Sequence, residues 1–213
     1  MSLAAGPARI AWDSDDALVG REDSGRFGLV RVAPSGEIST EIEGDRVITG
    51  FDAGSGRVVA TSKTTTSPGE LIEFAGTEKQ LSQLNDGEIP TVHPDHFTVS
   101  SGGYDLDAWV FLPPGEEAVP LLLNIHGGPA SQYGFGFFDE FQVYAGAGYG
   151  VVACNPRGSA GRGQQFSRAV VGDGWGVVDL ADVRAVVSAA LERFPRSEEH
   201  TSELQSQFRI SYA

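Results

Sequence analysis

The sequence predicts two folded parts: an all-β stretch of repeated four-stranded units, then an α/β stretch on a mixed, mostly parallel sheet. Three observations carry this. Short alternating segments recur at spacings of 40 and 42 residues within positions 1–84. A continuous apolar run at 120–125 breaks abruptly at His126-Gly-Gly-Pro129. One helical stripe of apolar residues covers 177–194.

In the first part, Ala17-Leu-Val-Gly-Arg21 is matched by Arg57-Val-Val-Ala-Thr61, and Leu29-Val-Arg-Val-Ala33 by Leu71-Ile-Glu-Phe-Ala75. Gly36-Glu-Ile-Ser-Thr40 has a looser partner in Glu78-Lys-Gln-Leu-Ser82, and further strand candidates at 9–12 and 46–51 precede each set. Four strands, twice, is the arithmetic of propeller blades. Two blades cannot close a ring, so the start of such a propeller is expected upstream. Asp13, Asp15 and Asp16 lie close together, but the Gly and Glu spacing of a calcium loop is absent. They read as a polar loop between strands.

Residues 85–96 read as a linker, with two prolines, a turn dipeptide and no periodicity. His93 and His96 sit within it; Pro94 opposes the helix that would align them on a metal, and no third ligand is near. Next, 97–101 and 106–112 form a hairpin around Gly102-Gly103. The run at 120–125 is a strand buried on both faces. Two glycines and a proline cannot continue it, so the backbone turns and exposes N–H groups at the strand's C-terminal end. Such groups can face a developing negative charge, which makes the turn a candidate oxyanion hole.

A weak helix at 137–147 leads to a second buried strand at 149–154, with Cys154 as core packing. Asn155-Pro-Arg-Gly-Ser159 is a second loop leaving a strand's C-terminal end. In the helix at 177–194, Leu180, Val183, Val187, Ala190, Leu191 and Phe194 share one face, while Asp179, Asp182 and Glu192 lie off it. Right-handed crossovers place both loops on one rim of the sheet.

Composition bounds the partners. A formal net charge of −14 argues against nucleic acid and anionic membranes. No apolar run approaches a membrane span and no signal pattern opens the chain, so a cytoplasmic protein is expected. One cysteine allows no internal disulfide. Only Lys63 and Lys79 are lysines among fifteen basic residues.

Four motifs then occur in order: His126-Gly-Gly-Pro129; Asn155-Pro-Arg-Gly-Ser159; Gly161-Arg-Gly163 with Phe166; and Gly172-Asp-Gly-Trp-Gly176 with Asp179 and Asp182. Together they resemble the prolyl oligopeptidase family of serine peptidases, in its acylaminoacyl-peptidase and dipeptidyl-peptidase-like branch, over roughly residues 92–195. The resemblance implies the N-terminal half of an α/β-hydrolase domain preceded by the last blades of a propeller. The boundaries become 1–84 for the blades, 85–96 for the linker and 97–195 for the hydrolase part. It also implies cleavage of short peptides through an acyl-enzyme on serine, with no cofactor and no metal. Gly128 would give a backbone N–H to the oxyanion, Gly127 would allow the close approach, and His126 and Arg157 would support their loops. Arg162, where an aromatic is common, and Gly174, an insertion, depart from the family pattern.

The nucleophile of this fold sits in Gly-x-Ser-x-Gly, followed by Asp and then His. That pentapeptide is absent from the sequence; the nearest, Arg157-Gly-Ser159-Ala-Gly161, lacks the first glycine. None of His93, His96, His126 and His200 falls where the triad requires it. The chain is therefore expected to be an inactive fragment lacking its Ser-Asp-His triad. Residues 196–206, Arg-Ser-Glu-Glu-His-Thr-Ser-Glu-Leu-Gln-Ser, resemble the in-frame translation of a common sequencing-adapter oligonucleotide, so 196–213 is expected to be a non-native tail. Alternative readings are an esterase or lipase of the same fold, and a non-catalytic propeller interaction protein carrying a degenerate hydrolase remnant.

Overall fold

The computed structural model describes residues 10–85, 90–128, 130–195 and 197–198. Pro129, residues 86–89 of the expected linker, His200 and the tail after Glu198 lie outside them. The chain divides into two compact units. One runs to Pro90 and includes Gly134–Phe138; the other comprises Thr91–Tyr133 and the chain from Asp139 onward.

The first unit is two antiparallel meanders. The first contains β1 (Ile10–Asp13), β2 (Asp16–Asp23), β3 (Arg26–Val32) and β4 (Ile38–Ile42). The second contains β5 (Val47–Gly54), β6 (Arg57–Lys63), β7 (Glu70–Phe74) and β8 (Glu78–Gln80). Each is a four-stranded antiparallel sheet, the form that a propeller blade takes, and one parallel pair, Phe27 with Val47, links their strands. Ser24-Gly25 and Ser55-Gly56 make the two-residue turns of β2–β3 and β5–β6, all four residues at positive φ. That backbone matches the right-handed twist of the strands it joins. Period-2 alternation then buries Leu18, Leu29, Ile48 and Val58 in one shared core.

The three aspartates near residue 15 do not form one loop cluster. Asp13 is 5% exposed and accepts from the Gly56 N–H at 3.0 Å and from Arg31 at 3.1 Å. Arg31 also meets Asp16 at 3.4 Å and pairs through Nε and Nη2 with Glu41 at 2.9 and 3.1 Å. The cation these carboxylates surround is a guanidinium.

The second unit carries a five-stranded sheet. Its strands are β9 (Asp95–Ser101), β10 (Tyr104–Phe111), β11 (Val119–Asn124), β12 (Gly150–Cys154) and β13 (Ser197–Glu198). They are ordered β13-β11-β12-β10-β9. β11 pairs in parallel with β12 and β13, while β10 is antiparallel to β12 and β9, so the sheet is mixed. Helices α1 (Asp139–Gly146), α2 (Gly163–Ser167) and α3 (Val178–Arg193) complete it. Leu106, Ala108 and Val110 on one face of β10 pack with Val152, Cys154, Val186 and Ala190.

Four sequence expectations are revised here. Asp95 and His96, placed in the linker, are the first residues of β9, because Pro94 already holds the chain extended before them. The short helix α2 carries no periodic signal and was not expected. On α3 the buried face is Asp182, Val183, Val186 and Ala190, whereas Leu180 is 40% exposed. Asp182, expected off the stripe, is fully buried because an arginine partner neutralises it. Lastly, Ser197–Glu198, placed in the expected non-native tail, forms a short strand beside Val119 and Pro120. Such pairing uses backbone groups and makes no demand for apolar side chains.

Candidate active site

β11 and β12 are neighbours and parallel, so the loops after Asn124 and after Cys154 leave the same end of the sheet. Gly128 has φ 149°. A Cβ there would lie 3.3 Å from the Ser131 nitrogen, so glycine suits both the backbone and the space. Gly127 and Gly128 are exposed, and no group among the described residues accepts from their N–H groups. Two backbone donors are therefore left without an acceptor among the described residues, at the C-terminal end of β11.

The two loops are laced together. Ala130 N–H donates to the Gly158 carbonyl and Ala160 N–H to the Ser131 carbonyl, both at 2.9 Å. The Asn155 side chain, in a residue 2% exposed, accepts from the Tyr133 N–H at 2.8 Å and donates to the Tyr133 carbonyl at 2.9 Å. His126 lies edge-on to the Tyr133 ring, at 5.2 Å between centroids. Its Nδ1 lies 3.1 Å from the Gly127 carbonyl and its Nε2 2.9 Å from Ser159 Oγ. Burial lowers the pKa of His126, which favours the neutral ring at physiological pH.

His126 and Ser159 stand within hydrogen-bond reach, as a base and a nucleophile would. Access separates them from that role. Ser159 is 1% exposed, and its one hydroxyl proton goes to the Pro156 carbonyl at 2.7 Å, which leaves Oγ to accept from His126 Nε2. The second nitrogen of His126 faces a carbonyl rather than a carboxylate. This pair holds two loops together and offers substrate no hydroxyl.

Arg157 is anchored from below. Its Nε donates to Asp182 Oδ2 at 2.8 Å and its Nη2 to Oδ1 at 2.7 Å, while its own N–H reaches Oδ2 at 2.9 Å. Ser101 Oγ gives Asp182 a fourth bond at 2.6 Å. Gly102 leaves room for this guanidinium, since a Cβ there would meet Nη1 at 2.4 Å. Cys154 is fully buried, and burial pushes its thiol up to about 12, away from nucleophile chemistry.

Asp107 was missed by sequence reasoning. It is 2% exposed on β10 and accepts from Arg162 Nε at 2.8 Å, with His96 Nε2 at 3.1 Å from its other oxygen. A lone carboxylate inside Leu106-Asp-Ala-Trp-Val-Phe111 was the available signal. Among the described residues no group of three or more His, Cys, Asp or Glu could hold a metal ion.

A mixed sheet ordered this way, with a glycine turn after one parallel strand and a braced loop after the next, defines the first half of an α/β hydrolase. Known proteins narrow the class. Residues 135–201 match the model of the Peptidase_S9 prolyl oligopeptidase family. The chain is 42% identical over 137 residues to "Uncharacterized peptidase YuxL" of Bacillus subtilis, covering 60% of this chain and 21% of that protein. It is 26% identical over 198 residues to "Probable dipeptidyl-peptidase 5" of Emericella nidulans, covering 83% of this chain and 27% of that one. In three dimensions it superposes on the Pyrococcus horikoshii acylaminoacyl peptidase with a TM-score of 0.83 and 30% identity, covering 90% of this chain and 31% of the other. The chain thus spans between about a fifth and a third of the length of these relatives. The resemblance seen in the motifs thus extends to similarity with these peptidases over 60% to 90% of this chain.

Proposed function

We propose that this chain is a segment of a serine-type peptidase that hydrolyses short peptides through an acyl-enzyme. The observation that carries the reading is the pair of unpartnered N–H groups at Gly127 and Gly128, at the C-terminal end of β11. In the assembled enzyme, Gly128 N–H would face the oxyanion of the tetrahedral intermediate, and Gly127 would let the substrate carbonyl approach. His126 and Arg157 would hold the two loops in register. Residues 1–84 would be the last propeller blades, 85–96 the linker and 97–195 the hydrolase part, with a non-native tail from 196. The protein would work in the cytoplasm, without cofactor. Among the described residues no helix is long and apolar enough to cross a membrane.

By itself the chain carries no Gly-x-Ser-x-Gly and should not turn over substrate. Incubation with a fluorophosphonate probe and with acyl-aminoacyl and dipeptidyl chromogenic substrates should give neither label nor product. The DNA decides the rest. The full gene should encode a downstream Gly-x-Ser-x-Gly, then Asp and His, and its product should label and cleave. A full product that does neither sinks the peptidase reading.

A further inference from the structure

Asp107 reaches both ends of the loop that braces the candidate oxyanion segment. Its backbone carbonyl accepts from the Asn155 N–H at 3.0 Å, at the start of that loop. Its carboxylate accepts from Arg162 Nε at 2.8 Å, with Nη2 also at 2.8 Å, at the loop's end. Between these two points lie three contacts to the glycine turn: Gly158 carbonyl with Ala130 N–H, Ala160 N–H with Ser131 carbonyl, and Ser159 Oγ with His126 Nε2.

We propose that Asp107 is a positioning residue for the candidate oxyanion segment, acting through Arg162 and the 155–162 loop. This deepens the peptidase reading and rests on it for the function of Gly128, but the mechanical coupling stands on the geometry alone. β10 is buried along six consecutive positions from Leu106, so a carboxylate there is costly unless charged donors meet it. Both oxygens are met: one by Arg162, the other by His96, whose ring lies 5.2 Å from Trp109. Through Arg162, a rigid strand fixes a loop whose other end is already tied to the same residue. A loop closed at both ends has few conformations left, so His126 and the Ala130 N–H find their partners in place.

Arg162 is also one of the two positions at which the sequence departs from the pattern of the family it resembles, where an aromatic is common. An aromatic could pack but could not pair with Asp107. Cation and carboxylate are therefore a matched set, and replacing either alone should release the loop.

The test is site-resolved amide exchange and imidazole ¹⁵N shifts on the full chain. Four histidines make the ring signals tractable. In Asp107→Asn and in Arg162→Gln, exchange at Ala130 and Ala160 should accelerate at least tenfold, and the His126 ring nitrogens should shift. Amides in the centre of β12 should keep wild-type protection. Arg162→Lys, which keeps the charge, should restore part of the protection. Arg162→Gln alone carries the test if Asp107→Asn does not fold. Unchanged exchange and unchanged His126 shifts in Arg162→Gln would overturn the proposal. So would acceleration spread evenly over the sheet, since that marks a purely structural pair. The peptidase reading fails separately, on the absence of fluorophosphonate labelling of the full gene product.

Discussion

Asp182, with no exposed surface, lies opposite Arg157, which is 12% exposed at its side chain; Nη2 and Oδ1 are 2.7 Å apart. The carboxylate accepts four hydrogen bonds, three of them from Arg157 itself, and one from Ser101. One ion pair thus joins β9, the loop after β12 and α3. Removing either partner strands a buried charge, at a cost of about 3–5 kcal/mol. Arg157→Met and Asp182→Leu should each lower the urea midpoint strongly. The double variant should recover much of the loss. A double variant as unstable as the sum of the singles would show that the pair is not a coupled unit.

Glu70 gives a pH prediction. Its carboxylate accepts from Ser82 Oγ, from the Leu84 N–H at 3.1 Å and from the Asn85 N–H and side-chain amide, both at 2.8 Å. These donors, Ser82 first, hold its pKa down to about 2 from the ordinary 4.5. A depressed folded-state pKa contributes stability that is present above about 4.5 and is lost as pH falls towards 2. Stability of the wild type relative to Glu70→Gln should therefore shrink across that window. A constant difference between the two from pH 5 to 2 would remove Glu70 from the balance.

At Gly28, a Cβ would lie 2.4 Å from the Ile42 carbonyl oxygen. This is β4 backbone beside an irregularity in the β3–β4 register, so it cannot swing away like a side chain tip. Gly28→Ala should cost about 1–3 kcal/mol, the scale of overpacking a filled site. Thermal melting reads it; an unchanged Tm would mean that β4 shifts freely.

Cys154 offers a clean probe of opening. Fully buried and with its thiol pushed up to about 12, it should ignore a thiol-reactive disulfide reagent in the native state. Labelling should appear with urea, along the transition reported by circular dichroism. Rapid reaction without denaturant would contradict the burial.

The parts legible in advance are those set by short-range pattern. Strands such as β3 and β6 follow from alternation and from turns such as Ser24-Gly25, where local chemistry decides the backbone, whereas β8, exposed throughout, rests on the repeat alone. The glycine turn after β11 was legible for the same reason: Gly127-Gly128 cannot continue a strand. The acid–base pairs were not. Asp182 sits 25 residues after Arg157, and Asp107 is 55 residues from Arg162. Each looks solvent-facing until the partner's position is known, because burial of a charge is decided by what meets it rather than by its own neighbours. The stripe on α3 was misplaced by that same rule.

β13 covers only Val119 and Pro120. Beyond them, Leu121, Leu122, Leu123 and Asn124 pair with β12 on one side, and on the other no strand among the described residues meets them. Among the described residues that edge leaves backbone groups unmatched by a strand, and such an edge can template an extended chain that arrives. The hazard of preparing this protein is therefore one of encounter: losses should grow with concentration and with waiting time, and a dilute sample should outlast a concentrated one of equal melting temperature.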